Sequence, residues 1–359
     1  MKNVLFIAHH RPDRSPGQRF RFEQYFEFLK SNGFNCELSY LISEKEDALF
    51  YSKGKYFTKA RLMLKYIRKR KADAARASKF DIIFIFRDAL PTGSIKYEKL
   101  FQSSGAKLIY DFDDAIFVLN MSEGNKSLSF LKRPEKTGEI IELCDLVIAG
   151  NQYLADYAAS YNDNVKIIPT TIDTDLYQRI QHKKDKVCIG WSGSVTTIQH
   201  FEFAIPFLTK ILKKYGDKVY FKVIGDGDYS NEELNIKGLS WNKKTEISDL
   251  SEIDIGIMPL PNDEWAKGKC GLKGLQYMAL EIATIMSPVG VNTEIIEDGK
   301  NGFIADDHEE WVEKISKLIE HPELREEMGK EARKTVIDQY SVEANRDLYL
   351  TYFKEVLST

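Results

Sequence analysis

Cysteine is scarce in this chain of 359 residues, and the cysteines that occur lie far apart. Cys36, Cys144, Cys188 and Cys270 form no C-x-x-C pair. Their spacing excludes a disulfide framework and a cysteine-based zinc site, and it is typical of reduced thiols in a cytosolic protein. Apolar content of 43% and charged content of 29% are those of an ordinary globular protein, and the length predicts about two domains.

Long apolar runs and a strong excess of one charge are also missing. No run approaches the roughly 18 apolar residues that a membrane-spanning helix needs. The N-terminus, MKNVLFIAHH, holds only five apolar residues before two histidines, so it predicts a buried strand rather than a signal peptide. The net charge of -3 argues against nucleic acid as the main partner. We expect the protein to work in the cytoplasm.

One segment departs from this even balance of charge. Residues 51–80 contain eleven lysines or arginines and a single acidic residue, Asp73, so their local charge is +10. Apolar residues are interleaved with these charges: Phe57, Leu62, Met63, Leu64, Tyr66 and Ile67. The pattern is typical of a helix that lies on an anionic membrane surface or binds an anionic ligand. It also fits a helix that packs its apolar face on the core and solvates its basic side.

Short apolar strands alternate with helical segments along the whole chain. Six strands are predicted from NVLFIA at residue 3 to VKIIP at residue 165, and five more from VCIGW at residue 187 to ATIMSPVG at residue 283. This order predicts an α/β fold with two doubly wound, Rossmann-like parallel sheets, which bind ligands beyond the carboxyl ends of their strands. The polar segment 170–186 is predicted to link two domains, 1–172 and 183–340. The C-terminal helix, 341–359, is predicted to return to the first domain.

The acidic stretch YDFDDAIF, residues 110–117, places Asp111, Asp113 and Asp114 at the carboxyl end of a predicted mid-sheet strand. A D-x-D pair is able to hold a divalent cation, or to supply an aspartyl nucleophile and its acid partner. It is also typical of a strand end that runs into an Asx turn. The mid-sheet position disfavours the aspartyl nucleophile, since the hydrolases that use one carry it on their first strand.

The segment WAKGKCGLKGLQYMALEI, residues 265–282, predicts an anion site. Gly268, Gly271 and Gly274 open a helix, and the free N–H groups and positive dipole end of such a helix suit a diphosphate. Lys269 in the approach and Lys273 on the first turn would add positive charge beside the same anion. Glycines at these positions also permit close packing of the helix on a strand, which is the alternative.

Other polar residues complete the candidate sites. Gln276 shares a helix face with Lys273 and is placed to bind a ribose hydroxyl. Gly193 and Ser194 follow the first strand of the second domain, where their loop would supply backbone and hydroxyl donors. In the first domain, the loop and helix after the first strand carry residues that suit a phosphate or an acidic acceptor: His10, Gly17, Arg19 and Arg21.

Two longer stretches resemble a known family. AGNQYLADYAA, with VKIIPTTIDTDLY after it, looks like the end of the first domain of the retaining glycosyltransferases of family 4, which have the GT-B fold. KCGLKGLQYMALEIATIMSPVGVNTEIIEDGKNGFI looks like their donor site. The resemblance implies two Rossmann-like domains that face a central cleft, a nucleotide-sugar donor on the second domain and an acceptor on the first. It also implies that neither a metal nor a cofactor is required.

The chain departs from that family in its donor segment. Gly268 and Gln276 stand where the family usually has glutamates, and its usual arginine and lysine after the first strand of the second domain are missing. Lys269 and Lys273 match the K-C-x-x-K pattern of a subgroup and would take over the diphosphate. The resemblance thus implies a donor site formed by Gly193, Ser194, Lys269, Gly271, Leu272, Lys273 and Gln276.

The expected activity is a metal-independent, retaining transfer of a hexose from a nucleotide-sugar to a glycan or lipid-linked acceptor, as in surface polysaccharide synthesis. The lysines and the helix start would stabilise the leaving diphosphate. Asp111, Asp113 and Asp114 would orient the acceptor hydroxyl or accept its proton, and the segment 51–80 would contact an anionic membrane. The alternatives are a nucleotide-sugar epimerase or hydrolase on the same fold, and a non-catalytic two-domain solute-binding protein.

Overall fold

The computed structural model describes residues 1–52, 54–118 and 133–358. The chain divides into two units, and each contains one six-stranded sheet. Unit 1 comprises Met1–Pro169 together with the C-terminal residues from Arg346, and unit 2 comprises Thr170–Asn345. The predicted C-terminal helix was extended to residue 359, which lies outside the described residues.

The strands of unit 1 are β1 (Lys2–Ile7), β2 (Phe34–Ser39), β3 (Ile82–Phe86), β4 (Lys107–Phe112), β5 (Leu146–Ala149) and β6 (Val165–Ile167). They pair in parallel in the order β2-β1-β3-β4-β5-β6. Its helices up to residue 159 are α1 (Pro16–Arg21), α2 (Phe26–Ser31), α3 (Glu44–Tyr51), α4 (Tyr56–Ala75), α5 (Lys96–Gln102), α6 (Lys136–Leu143) and α7 (Gln152–Ala159).

The burial of these strands explains their sequences. All residues of β3, IIFIF, are buried, because a central strand of a parallel sheet is covered on both faces and reads as a continuous apolar run. The edge strand β2, FNCELS, has exposed residues between buried ones. The apolar runs therefore located the centre of the sheet correctly.

Unit 2 repeats the architecture with the strands β7 (Val187–Ser192), β8 (Val219–Gly225), β9 (Ser230–Asn231), β10 (Ile236–Lys237), β11 (Leu239–Ser240), β12 (Ile255–Met258), β13 (Ala283–Met286) and β14 (Phe303–Ile304). Six of them pair in parallel in the order β11-β8-β7-β12-β13-β14, and β9 and β10 form an antiparallel pair. Its helices are α8 (Ile198–Glu202), α9 (Ile205–Tyr215), α10 (Glu246–Ser251), α11 (Glu264–Lys267), α12 (Leu272–Ala279), α13 (Asn292–Ile295), α14 (His308–Glu320) and α15 (Pro322–Thr335), before the final helix α16 (Val342–Ser358).

Three elements differ from the sequence predictions. The predicted helix 17–31 is broken into α1, a 3-10 turn at Glu23–Tyr25, and α2. The predicted strand LNIKGLSW is divided between β10, which pairs with β9, and β11, which joins the main sheet. The edge strand β14 was missed, since two residues are too few to give an alternating pattern.

The polar segment 170–186, which the sequence indicated as a linker, is held within unit 2. Arg333 on α15 donates hydrogen bonds to the carbonyl oxygens of Thr174 and Tyr177, and Ile172 forms a parallel bridge with Ser341. A segment without an apolar pattern can still be held in place by hydrogen bonds, because its backbone carbonyl oxygens accept them from side chains such as Arg333.

The final helix α16 packs on unit 1. The ring of Phe353 is fully buried, with its centroid 5.6 Å from that of Phe34 and 6.1 Å from that of Phe84. The hydroxyl of Tyr349 donates a hydrogen bond to the carbonyl oxygen of Arg21. Apolar side chains at helical spacing indicated this packing face, and the aromatic pairs stabilise it beyond simple burial.

The basic segment forms α4, although Lys53 of that segment lies outside the described residues. One of its cations is structural. Arg70 is fully buried and donates hydrogen bonds to the carbonyl oxygens of Ala8, Ser39 and Ala89, and to Asp73. These carbonyls lie at or just beyond the ends of β1, β2 and β3, so one guanidinium joins three neighbouring strand ends. Among the described residues, no helix is long and apolar enough to cross a bilayer.

We expect Arg70→Gln to lower the free energy of unfolding by about 3 kcal/mol, because it removes one of the cations that pair with Asp73 and the donors of three buried carbonyl oxygens. Urea denaturation followed by circular dichroism measures the change. Lys71→Gln removes the same charge from the next, exposed position and should change stability by less than about 0.5 kcal/mol. Equal stability of the two variants would contradict the structural role of Arg70.

Candidate functional site

The strand order of unit 2 identifies the edge at which a sheet of this kind is expected to bind a ligand. Going outward from β7, the sequence runs to β8 and β11 on one side and to β12, β13 and β14 on the other, so the order reverses between β7 and β12. Open parallel sheets bind ligands beyond the carboxyl ends of the strands at such a reversal. The loop 193–197 follows β7 and the segment 259–271 follows β12, and both contain residues that the sequence analysis selected.

The start of α12 is built by glycines. Gly271 caps the helix with a φ of 68°, a left-handed conformation that favours glycine, and a Cβ there would lie 2.3 Å from Ile295. Gly274, on the first turn, lies so close to Met286 that a Cβ would be 1.7 Å from its methyl carbon. The structure thus supports the close-packing alternative for these glycines, and binding of an anion at this helix start stays a prediction.

Aromatic rings support the two lysines of this segment. The ammonium nitrogen of Lys269 lies 3.3 Å from the centre of the Trp265 ring, and that of Lys273 lies 5.2 Å from the centre of the Trp191 ring. Trp191 is fully buried at the end of β7. An aromatic face attracts an ammonium group, so the two rings help to position these lysines near the start of α12.

The loop after β7 is tied to α12. The backbone N–H of Ser192 donates a hydrogen bond of 2.6 Å to the hydroxyl of Tyr277 on α12. A Cβ on Gly193 would lie 2.1 Å from the Trp191 ring, so only glycine fits between this ring and the loop. Ser194 begins the following 3-10 turn, and its N–H donates to Thr197 Oγ1. Four candidate donor-site residues of unit 2 are at least partly accessible to solvent: Ser194, Lys269, Leu272 and Lys273.

Gln276 differs from its predicted role. Its side chain is 6% exposed, and its amide nitrogen donates to the Tyr177 hydroxyl at 2.9 Å and to Glu246 Oε1 at 3.3 Å. Glu246 also accepts a hydrogen bond from Trp241. The structure thus gives Gln276 an internal packing role in place of the expected contact with ribose, because the partners are brought to it from segments distant in sequence.

In unit 1 the strand order reverses between β1 and β3, and an ionic cluster lies at that edge. His9 Nε2 is 2.6 Å from Asp88 Oδ1, and the ammonium group of Lys136 is 2.9 Å from Asp88 Oδ2. Burial acts to raise the pKa of Asp88, but His9 and Lys136 outweigh it and hold this pKa well below its usual range. Sequence reasoning missed Asp88 and Lys136, although the Arg-Asp pair directly after the strand IIFIF was a usable signal.

His10, the predicted member of the loop after β1, faces Tyr51. Its Nε2 lies 3.0 Å from the Tyr51 hydroxyl, and burial, followed by the charge of His9, lowers the pKa of His10 to about 3. Arg19 is 8% exposed and lies 4.0 Å from Asp13. Both side chains thus have partners within unit 1, and their contact with an acceptor or a phosphate stays a prediction.

The acidic triplet is paired with arginines. Asp111 and Arg21 are both fully buried and joined by hydrogen bonds of 3.0 and 2.6 Å. Burial raises the pKa of Asp111, and the Arg21 guanidinium opposes that rise. This pair corrects two expectations: Asp111 does not face a ligand, and Arg21 is not available as a phosphate clamp. Two buried ions are brought together because each would be costly alone.

The other two aspartates lie nearer the surface. Asp113 accepts hydrogen bonds of 2.9 and 2.7 Å from Arg87, and Asp114 lies 3.7 Å from the same guanidinium. Gly17 packs against this group, since a Cβ there would lie 2.8 Å from Asp113 Oδ2. A search of the described residues finds no cluster of three or more His, Cys, Asp or Glu side chains that could hold a metal ion.

Comparison with known proteins relates unit 2 to a family. The family model described as Glycosyl transferases group 1 matches residues 172–335, which lie within unit 2. The capsular polysaccharide biosynthesis glycosyltransferase CapM of Staphylococcus aureus is 26% identical over 202 residues, which are 51% of this chain and 52% of that protein. The match thus spans about half the length of each chain.

Solved structures extend the similarity to the whole fold. Sucrose-phosphate synthase from Thermosynechococcus elongatus gives a TM-score of 0.77 at 14% identity, over 100% of both chains. The Anabaena protein Alr3699/HepE, solved in complex with UDP and glucose, gives a TM-score of 0.70 at 14% identity, over 99% of this chain and 100% of that one. The fold of this chain is GT-B, which confirms the predicted fold class.

We expect Asp111→Asn to lower the free energy of unfolding by about 3 kcal/mol, because it removes the buried negative charge that pairs with the Arg21 guanidinium. Asp114→Asn is the matched control and should cost less than about 1 kcal/mol, since its ion pair is long and partly exposed. Urea denaturation of the two variants measures the difference. If Asp111→Asn is as stable as the wild type, then the pair does not hold unit 1 together.

Proposed function

We propose that this protein is a retaining glycosyltransferase that takes a hexose from a nucleotide-sugar bound by unit 2. The observation that carries the proposal is the start of α12, where Lys269 and Lys273 lie at the edge between β7 and β12 that the strand order marks for ligands. A helix N-terminus with two lysines suits a diphosphate. The family match over 172–335 and the Anabaena neighbour with bound UDP support the same ligand class.

The chemistry needs stabilisation of the leaving diphosphate more than it needs a strong acid. As the bond between the anomeric carbon and the phosphate oxygen breaks, negative charge grows on the diphosphate, where Lys273, Lys269 and the N–H groups of α12 would bind it. The acceptor oxygen then bonds to the anomeric carbon from the same face, and its proton goes to the departing phosphate oxygen. Because protein cations supply the positive charge, we propose that the transfer requires no divalent metal and no cofactor.

The acceptor would bind on unit 1. Asp113 and Asp114 remain partly accessible, and the His9–Asp88 pair lies at the edge between β1 and β3. Hydrogen-bond acceptors of this kind orient sugar hydroxyls, so they favour a glycan or a lipid-linked glycan as acceptor. The relative CapM is named for capsular polysaccharide biosynthesis, which supports a place for this chain in surface polysaccharide synthesis.

We further propose that α4 contacts an anionic membrane surface on which a lipid-linked acceptor resides. Positions four and three residues apart form one exposed stripe along the helix: Phe57, Arg61, Leu64, Arg68 and Lys71. Phe57 is 91% exposed and Leu64 is 55% exposed. Apolar side chains alternating with cations on one face fit lipid headgroups better than they fit water. Arg70 is excluded from this surface because it is buried.

We expect Lys273→Ala to weaken binding of a nucleoside diphosphate by about 1.5–3 kcal/mol, because a charge-assisted contact is lost. Lys269→Ala should weaken it less, since that ammonium group already rests on Trp265. Isothermal titration calorimetry measures both. Lys300→Ala removes an exposed lysine that pairs with Glu297 in the same unit, and it should leave the affinity unchanged. An unchanged affinity in Lys273→Ala would remove this lysine from the site.

We expect sugar transfer to continue at an undiminished rate in excess EDTA, because lysines and a helix start replace the metal at the diphosphate. The assay supplies a nucleotide-sugar and a glycan acceptor and detects the lengthened glycan by mass spectrometry. Loss of turnover in EDTA, with recovery in Mn²⁺ or Mg²⁺, would contradict the proposal. A reaction without acceptor tests the alternatives, because free sugar or an isomerised donor would indicate a hydrolase or an epimerase.

We expect the protein to co-sediment with vesicles that contain phosphatidylserine and not with pure phosphatidylcholine vesicles, since each cation near an anionic surface contributes about 1 kcal/mol. Salt should release it, because the Debye length is roughly 8 Å at physiological ionic strength. The test variant changes Arg61, Arg68 and Lys71 to Gln, and the control variant changes three exposed lysines of unit 2: Lys237, Lys244 and Lys300. Equal binding by the two variants would leave α4 as an ordinary solvated helix.

A further inference from the structure

His200 is a buried histidine beside the candidate donor site. It lies on α8, directly after the loop that follows β7, and is 2% exposed. Its Nδ1 has no hydrogen-bond partner among the described residues. A buried nitrogen without a hydrogen-bond partner destabilises the folded protein, so a ligand that accepts a hydrogen bond from the imidazole would offset that cost.

The surroundings of His200 are those of an anion site. Its ring centre is 5.6 Å from that of Trp265, the ring on which the ammonium group of Lys269 rests. Burial, followed by the positive charges of Lys273 and Lys269, lowers the pKa of His200 to about 3. The imidazole is therefore neutral at physiological pH, chiefly because burial disfavours its charged form, and the charges of Lys273 and Lys269 add to this effect.

An anion bound between Lys269 and Lys273 opposes this lowering of the His200 pKa. Its negative charge offsets the field of the two lysines and attracts a proton to the ring, while the unpartnered nitrogen gains an acceptor. We propose that His200 is a third anion-binding side chain of this site, neutral in the free protein and protonated when the diphosphate of a nucleotide is bound. The proton comes from solvent. This inference rests on the proposed function, because it requires a diphosphate at the start of α12.

The consequence is a specific pH dependence of binding. A group that is neutral in the free protein and charged in the complex makes binding take up a proton, so affinity rises as pH falls through the pKa of the complex. The diphosphate itself titrates in this range, but that contribution is common to the wild type and to His200→Gln. The ratio of the wild-type affinity to the His200→Gln affinity at each pH therefore reports the contribution of the His200 side chain alone.

The experiment measures the Kd of uridine diphosphate and of inorganic pyrophosphate by calorimetry from pH 8 to pH 5.5. We expect the advantage of the wild type over His200→Gln to grow with falling pH, by up to about tenfold per pH unit. His321→Gln is the matched control, since that side chain is 53% exposed and pairs with Glu323, and it should follow the wild type. Pyrophosphate should show the same trend, because the effect lies at the diphosphate.

A ratio that does not change with pH would overturn the inference. If His200→Gln does not fold, ¹⁵N-histidine NMR of the wild type replaces it, and a His200 ring that stays neutral in the saturated complex gives the same negative result. The proposed function is judged separately. The proposed function stands if Lys273→Ala weakens binding while the ratio of the wild-type and His200→Gln affinities does not change with pH. The proposed function and this inference both fail if neither uridine diphosphate nor pyrophosphate binds.

Discussion

Buried cations of unit 1 bind the backbone carbonyl oxygens that remain beyond the ends of its parallel strands, and the fold of this unit depends on that pairing. Arg70 joins three strand ends in unit 1, and Lys136 donates to the carbonyl oxygens of Leu90 and Thr92. In unit 2, Arg333 holds the segment that leads into β7. A sheet whose strands all end at one edge leaves acceptors there, and each would be costly without a donor.

The same requirement divides the basic residues of unit 1 into two groups. Arg21 and Arg70 are neutralised by Asp111 and Asp73 and serve the fold, whereas Arg61, Arg68 and Lys71 remain on the surface. Arg70 and Lys71, which are adjacent on α4, therefore differ in function: Arg70 stabilises the fold, and Lys71 lies on the surface. The net charge read from the sequence counts both the buried and the exposed basic residues. The electrostatic potential that a partner meets at the surface depends on the exposed residues alone.

Unit 2 supports its cations in another way. Lys269 and Lys273 lie over tryptophan rings, and the attraction between a ring face and an ammonium group helps to position the lysine. The Ser192–Tyr277 hydrogen bond joins the end of β7 to α12, so the ring of Trp191 and the helix start are held in one rigid frame. A diphosphate binds best where positive charge is fixed in advance, because little rearrangement is needed when it arrives.

The sequence alone determined the two parallel sheets and the start of α12, because continuous apolar runs and glycines at a helix start act locally. It did not determine the partners of individual charges. Arg21 meets Asp111, and Gln276 meets Tyr177, across long separations in the chain. Nor did it single out His200, whose neighbours Trp265, Lys269 and Lys273 come from a segment distant in the chain. Which ionic groups become buried and paired depends on packing between distant elements, and only the tertiary structure decided this.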